Sequence, residues 1–280
     1  MRESLHRSRR GRLLPVLLVI SVAGGLALAF TVLSPPSSDA GAGGGSPAAS
    51  QRPGASALPD PVEPAFVPGT PRPLGSTRDV AYFAPVRRPT VARAEPSGSA
   101  PPVAGLTTRT PEGTGNIVLV LDRVADAEGR LWVRVRLSVL PSNATGWVPR
   151  RALGGYGTVR TRLVVDLRRL TATLFRSGRP VFRADVGVGR PEWPTPTGEF
   201  YVRNKLTKYA NPFYGPLAFG TSARSEVLTD WPAGGFVGIH GTDRPDLLPG
   251  RVSHGCIRLA NEEVVRLARL MPVGTPLTIR

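Results

Sequence analysis

The stretch Gly238-Ile239-His240-Gly241, resumed at Ser253-His254-Gly255-Cys256-Ile257-Arg258-Leu259, holds two of the three histidines and the single cysteine of this 280-residue chain. A cysteine nucleophile needs a base, because a thiol of ordinary pKa is only a few per cent thiolate at neutral pH. Histidine is the natural partner. A lone cysteine reads first as a small buried hydrophobe and a lone histidine as a satisfied polar side chain. Finding both beside glycines at loop edges reverses that preference. Glycine lets the backbone approach a substrate closely and leaves N–H groups open toward a developing oxyanion.

These residues, His240-Gly241 followed by Ser253-His254-Gly255-Cys256-Ile257-Arg258, are similar to the signature of the L,D-transpeptidase family with its YkuD-type catalytic domain. The similarity extends through Thr195-Pro196-Thr197-Gly198, Asn211-Pro212, Leu259, Asn261 and Gly274-Thr275-Pro276, so it spans residues 158–280. The resemblance implies a mostly β fold, a sandwich of mixed sheets with a small helix. It also implies the site: Cys256 as nucleophile, His240 as base and the Gly241 carbonyl as the group that orients the imidazole. Backbone N–H groups around His254, Gly255 and Cys256 would serve as oxyanion donors, with Ser253 and Arg258 in the substrate-binding shell. The implied donor is a peptidoglycan tetrapeptide stem, cleaved between its third, diamino-acid residue and terminal D-Ala through a thioester. An amine of a second stem then completes a 3→3 cross-link. No cofactor or metal is implied, and carbapenem β-lactams are expected to acylate Cys256.

The residues around the motif read mainly as strand. Leu163–Leu167, Ala172–Phe175 and Val181–Val188 are β-rich runs split by Arg168-Arg169 and Ser177-Gly178, as in consecutive hairpins. A proline-rich loop follows at 191–198, Phe200–Val202 resumes strand character, and Pro276–Ile279 reads as a last strand. One helix is expected from Asn261 to Leu270. Asn261 suits an N-cap, Glu262 and Glu263 favour the positive end of the dipole, and Pro272 and Gly274 stop the helix.

Upstream, Asp79–Pro85, Ile117–Val124, Leu131–Leu140 and Gly146–Pro149 are short apolar runs between turn residues, and LWVRVRL alternates as a half-buried strand does. Residues 79–155 therefore read as a small β module. Its Leu131-Trp132-Val133-Arg134-Val135 and Gly146-Trp147-Val148 resemble bacterial SH3-like barrels. Residues 34–78 are rich in Pro, Gly and Ala and cannot bury enough apolar surface to offset chain entropy, so they read as a tether. Residues 13–33 carry no charge and are long enough to span a bilayer as a helix, and the basic residues 1–12 precede them. This order predicts a single-pass membrane anchor with the catalytic domain outside, in a bacterial cell wall; a cleaved signal peptide is the alternative.

The net charge is +16, and all but two of the 36 basic residues are arginine. Such a balance suits anionic polymers, lipid headgroups or stem carboxylates, while export disfavours a nucleic-acid role. One cysteine excludes a disulfide framework and any thiolate-rich metal site. Three rival readings remain: trimming of stems by water (an L,D-carboxypeptidase-type activity), a zinc hydrolase using His240, His254 and Cys256, and an inactive wall-binding protein.

Overall fold

A computed structural model describes residues 72–74, 80–207, 212–229 and 235–280. The segments read above as basic tail, anchor and nearly all of the tether lie outside the described residues. Among the described residues, no helix is long and apolar enough to cross a membrane.

Two sheets account for most of the described chain. The first contains β1 (Arg72–Pro73), β2 (Ala81–Pro85), β3 (Thr90–Arg93), β4 (Pro102–Leu106), β5 (Ile117–Ala125), β6 (Leu131–Arg136), β7 (Thr145–Pro149) and β8 (Gly157–Val159). It is antiparallel throughout, in the order β4-β3-β7-β6-β5-β2-β8, with β1 added on β5. The inward side chains of β5, β6 and β7 pack with Ala84, Val86, Ala92, Leu106 and Leu153 into one core. The run 131–140 stops as a strand at Arg136, where Ser138 to Asn143 turn the chain back into β7.

The second sheet contains β9 (Thr161–Asp166), β10 (Thr171–Arg176), β11 (Arg179–Asp185), β12 (Gly187–Gly189), β13 (Gly198–Leu206), β14 (Ala218–Arg224), β15 (Phe236–His240), β16 (Gly250–Ser253), β17 (Ile257–Arg258) and β18 (Pro276–Ile279). Its order is β11-β10-β9-β18-β13-β14-β15-β17-β12-β16. It is mixed: β9 runs parallel to β18, β15 to β17, and β12 to β16. The β9–β10–β11 meander turns at residues 167–170 and at Ser177-Gly178, both of which take positive φ. The single expected run Val181–Val188 divides at Val186. Its first part stays with β10, while β12 crosses to β16 and β17.

Among the described residues one α-helix, α1 (Asn261–Leu270), covers the core with Val264 and Leu267 and carries Glu262 and Glu263 in its first turn. The cap residue is Ala260, which makes no side-chain capping bond. Asn261 is therefore one residue inside the helix, and its carboxamide is used elsewhere, as described below. Mostly β with mixed sheets and one small helix is the architecture the motif's resemblance implies.

Strand β13 is buried on both faces. Successive side chains point to opposite sides of a strand, so Phe200 and Val202 enter the core of the second sheet while Tyr201 packs with Ile117 and Leu119 of β5. The Tyr201 hydroxyl donates to the Ile117 carbonyl at 3.0 Å. Asn143 accepts from the Glu199 N–H at 2.6 Å on the same junction. A Cβ at Gly198 would fall 2.2 Å from the Asn143 amide, and that glycine adopts φ +137°. The first sheet thus docks on the strand that leads toward the motif.

Candidate active site

His240 ends β15 and Cys256 immediately precedes β17. Because these two strands pair in parallel, with Ile239 opposite Ile257 and His240 opposite Arg258, residues 16 apart in sequence meet at one end of the sheet. Their proximity can be gauged from Gly238: a Cβ there would lie 3.8 Å from the His240 ring and 3.9 Å from Cys256 Sγ. The Gly238 N–H points at the sulfur, with N···Sγ 3.4 Å.

The imidazole is 1% exposed, and its Nδ1 lies 2.6 Å from the Gly241 carbonyl oxygen. A carbonyl only accepts, so Nδ1 carries the proton and Nε2 keeps its lone pair. Asn261 explains why residue 241 is glycine. Its Oδ1 accepts the Thr242 N–H at 3.0 Å, and a Cβ at Gly241 would be 2.2 Å from that oxygen. The Tyr214 ring stands edge-on to the imidazole, with centroids 4.8 Å apart. Burial pulls the His240 pKa from 6.5 to about 4; the Gly241 bond opposes this and the nearby Arg258 charge adds to it. Burial also pushes the Cys256 thiol up, against the Gly238 N–H and Arg258. Both shifts favour the uncharged forms, a thiol beside an unprotonated imidazole.

The turn that presents the thiol is braced by Ser253. Its hydroxyl donates to the Cys256 carbonyl at 2.6 Å and accepts the Gly255 N–H at 3.1 Å. That second bond engages Gly255 N–H, one of the three oxyanion donors expected from the sequence. Gly255 itself takes φ +112°, a conformation open to glycine. From the other side Thr195 donates to the Gly255 carbonyl at 2.8 Å and accepts the Gly189 N–H at 2.8 Å. The 190–197 loop is thereby fastened to the turn. Trp193, in that loop, stacks on His254 with centroids 4.3 Å apart.

Arg258 is 7% exposed, with its guanidinium 4.5 Å from the centroid of Phe213 and its Nε buried without a partner. Together these residues enclose a pocket of about 100 Å³, lined by Phe213, Tyr214, Phe236, His240, Cys256 and Arg258 among others. A larger depression of about 740 Å³ lies on the outer face of β9–β11, beside α1, and includes none of the motif residues. Ser253, His254, Gly255, Cys256, His240, Gly241 and Arg258 all lie at this one sheet end. Phe213, Phe236 and Trp193 also belong to it; nothing in their sequence spacing separates them from core aromatics. Tyr214 lines the pocket, while Tyr209 and Trp231 lie outside the described residues. Among the described residues, no group of three or more His, Cys, Asp or Glu is placed to hold a metal ion.

In class the chain is a cysteine acyltransferase. The YkuD family, described as an L,D-transpeptidase catalytic domain, matches residues 160–279. Over 122 residues the chain is 34% identical to the putative L,D-transpeptidase YkuD of Bacillus subtilis (strain 168), covering 44% of this chain and 67% of that protein. It is 37% identical over 102 residues to the putative L,D-transpeptidase YqjB of the same organism, 34% of this chain and 56% of that one. Among solved structures, the Ldtfm–avibactam carbamoyl enzyme matches at 28% identity over 43% of this chain and 48% of that chain, TM-score 0.34. The catalytic domain of the E. faecium L,D-transpeptidase matches at 28% over 43% and 96%, TM-score 0.32. The chain spans about half the length of the first of these solved chains. It belongs to the L,D-transpeptidase family.

Proposed function

We propose that this protein is a peptidoglycan L,D-transpeptidase in which Cys256 is the nucleophile and His240 its general base. The observation that carries the reading is the bond from His240 Nδ1 to the Gly241 carbonyl, made by a buried imidazole at the sheet end that also presents Cys256. It fixes the tautomer whose Nε2 can take a proton. As Sγ attacks the carbonyl carbon of the diamino acid in a tetrapeptide stem, its proton passes to Nε2, and the resulting imidazolium protonates the amine of the departing D-Ala. The Cys256 N–H, with the backbone at His254, stabilises the tetrahedral oxyanion, since Gly255 N–H is engaged by Ser253. The thioester then yields to an amine of a second stem; the amine's proton goes to His240 and Sγ leaves. No cofactor is required, because cleavage of the donor amide drives the exchange.

Residues 13–33 anchor the chain in the bacterial membrane, residues 34–78 extend it into the wall, and residues 79–155 form an SH3-like module. The test is intact-mass spectrometry of the full-length chain in detergent, with a carbapenem and separately with a disaccharide tetrapeptide. The expected result is a carbapenem adduct and D-Ala release, both lost in Cys256→Ala. Release without transfer to an added stem amine would favour trimming. No adduct and no release would refute the reading.

A further inference from the structure

The first sheet does more than lie beside the catalytic strands. Between β4 and β5 the chain makes a tight turn, closed by the Gly113 N–H on the Thr110 carbonyl at 2.9 Å and by Thr110 and Thr114 hydroxyls 2.8 Å apart. The turn projects Glu112 onto β13. There one carboxylate oxygen meets Arg203 Nη2 at 2.8 Å, and the other accepts from Asn204 Nδ2 at 3.2 Å. A register shift between Val202 and Asn204 lets these adjacent residues reach the same carboxylate. Burial raises the Glu112 pKa, but Arg203 and the bonds of the turn outweigh it and hold the group below the usual carboxylate range.

Arg203 is 3% exposed and has two further contacts. Its Nε donates to the Thr221 carbonyl at 2.8 Å, and its guanidinium lies 3.9 Å from the centroid of Phe236. Phe236 opens β15, four residues before His240, and lines the Cys256 pocket. A buried guanidinium held at Nη2 by a carboxylate and at Nε by a carbonyl is a rigid platform, whereas one without a counter-charge would leave its site or draw in water. The pocket wall is therefore braced by a residue of the turn between β4 and β5.

We propose that Glu112 is a positioning residue for the active site: through Arg203 it sets the place of Phe236, and so how well the pocket holds the donor peptide beside Cys256. This rests on the reading of Cys256 as nucleophile. Phe236 lines the pocket but takes no part in the His240 Nδ1–Gly241 bond that fixes the imidazole tautomer, so the effect falls on donor binding.

The test compares the full-length chain with Glu112→Ala, Phe236→Ala and the double variant, reading KM and kcat for D-Ala release, the rate of carbapenem acylation and the pH profile. Glu112→Ala should raise KM roughly tenfold with kcat within about twofold and the pH midpoint unmoved. In the Phe236→Ala background the same change should have no further effect on KM, and Glu112→Asp should recover part of the loss. A structural role alone would lower the melting temperature and leave KM unchanged below it, or would add to Phe236→Ala; either result overturns the proposal. Should Glu112→Ala fail to fold, Glu112→Gln, which keeps the volume and removes the charge, is read through the same cycle. A wild-type chain that neither releases D-Ala nor takes up carbapenem would instead sink the nucleophile assignment.

Discussion

Protonating His240 in place should cost the fold a measurable amount. The folded imidazole holds a proton only below about 4, while in the unfolded chain it does so from 6.5. Between those values the unfolded state binds more protons, so stability rises with pH across this window and is lost on acidification. The gap, at about 1.4 kcal/mol per pH unit, is roughly 3.5 kcal/mol, of which about 2.5 is gone by pH 4.5. Below pH 4 this group adds nothing further. The side chain is buried, so no discount for solvent screening applies. Guanidinium unfolding of wild type and His240→Gln at pH 7 and pH 4.5 isolates the effect: carboxylates elsewhere cancel in the difference, and so does any fixed cost of the substitution. Wild type should lose about 2.5 kcal/mol more than the variant on acidification. Equal losses, or a His240 ring signal titrating near 6.5 by NMR, would refute the account of a buried neutral base.

The same proton governs rate: carbapenem acylation should stay level from pH 7 to about 5 and fall about tenfold per pH unit below 4, read by stopped-flow. Ser253→Ala removes both bonds of its hydroxyl within the Cys256 turn and should cost about 1–3 kcal/mol of stability. Its kcat should fall more than its KM rises, measured by D-Ala release. Gly189→Ala should displace the 190–197 loop or prevent folding, because the new Cβ would lie 2.2 Å from the Trp193 carbonyl and 2.5 Å from Thr195 N; loss of the Trp193–His254 stack would register as a shift in tryptophan emission.

How much of this the sequence discloses depends on whether the partner is near in the chain. The β9–β10–β11 meander and α1 are legible because hairpin turns, a helix dipole and Pro272-Gly274 are local signals. Strand β14 is not: AFGTSAR is buried along nearly its whole length, including Thr221 and Ser222, so no alternation marks it. Nor are β16 and β17, which exist only because distant strands complete them. Cys256 and His240 stand out by rarity and by their glycine neighbours. Asn261 is misread as a cap because its preference for helix starts is real but its carboxamide is taken by Thr242. Glu112 and Arg203, 91 residues apart, look like ordinary surface charges until β13 is seen to be covered on both faces.

The parallel pairing of β15 with β17 has a consequence for what this fold can accommodate. Both ends of the 242–253 segment are stitched into the sheet, while Asp243 to Leu247 project into solvent. Doubling a flexible loop of this kind costs only about 0.6 kcal/mol in closure entropy. The span between His240 and Cys256 is therefore a natural insertion point, where a tag, a fluorophore or a new recognition loop could be grafted beside the proposed catalytic pair.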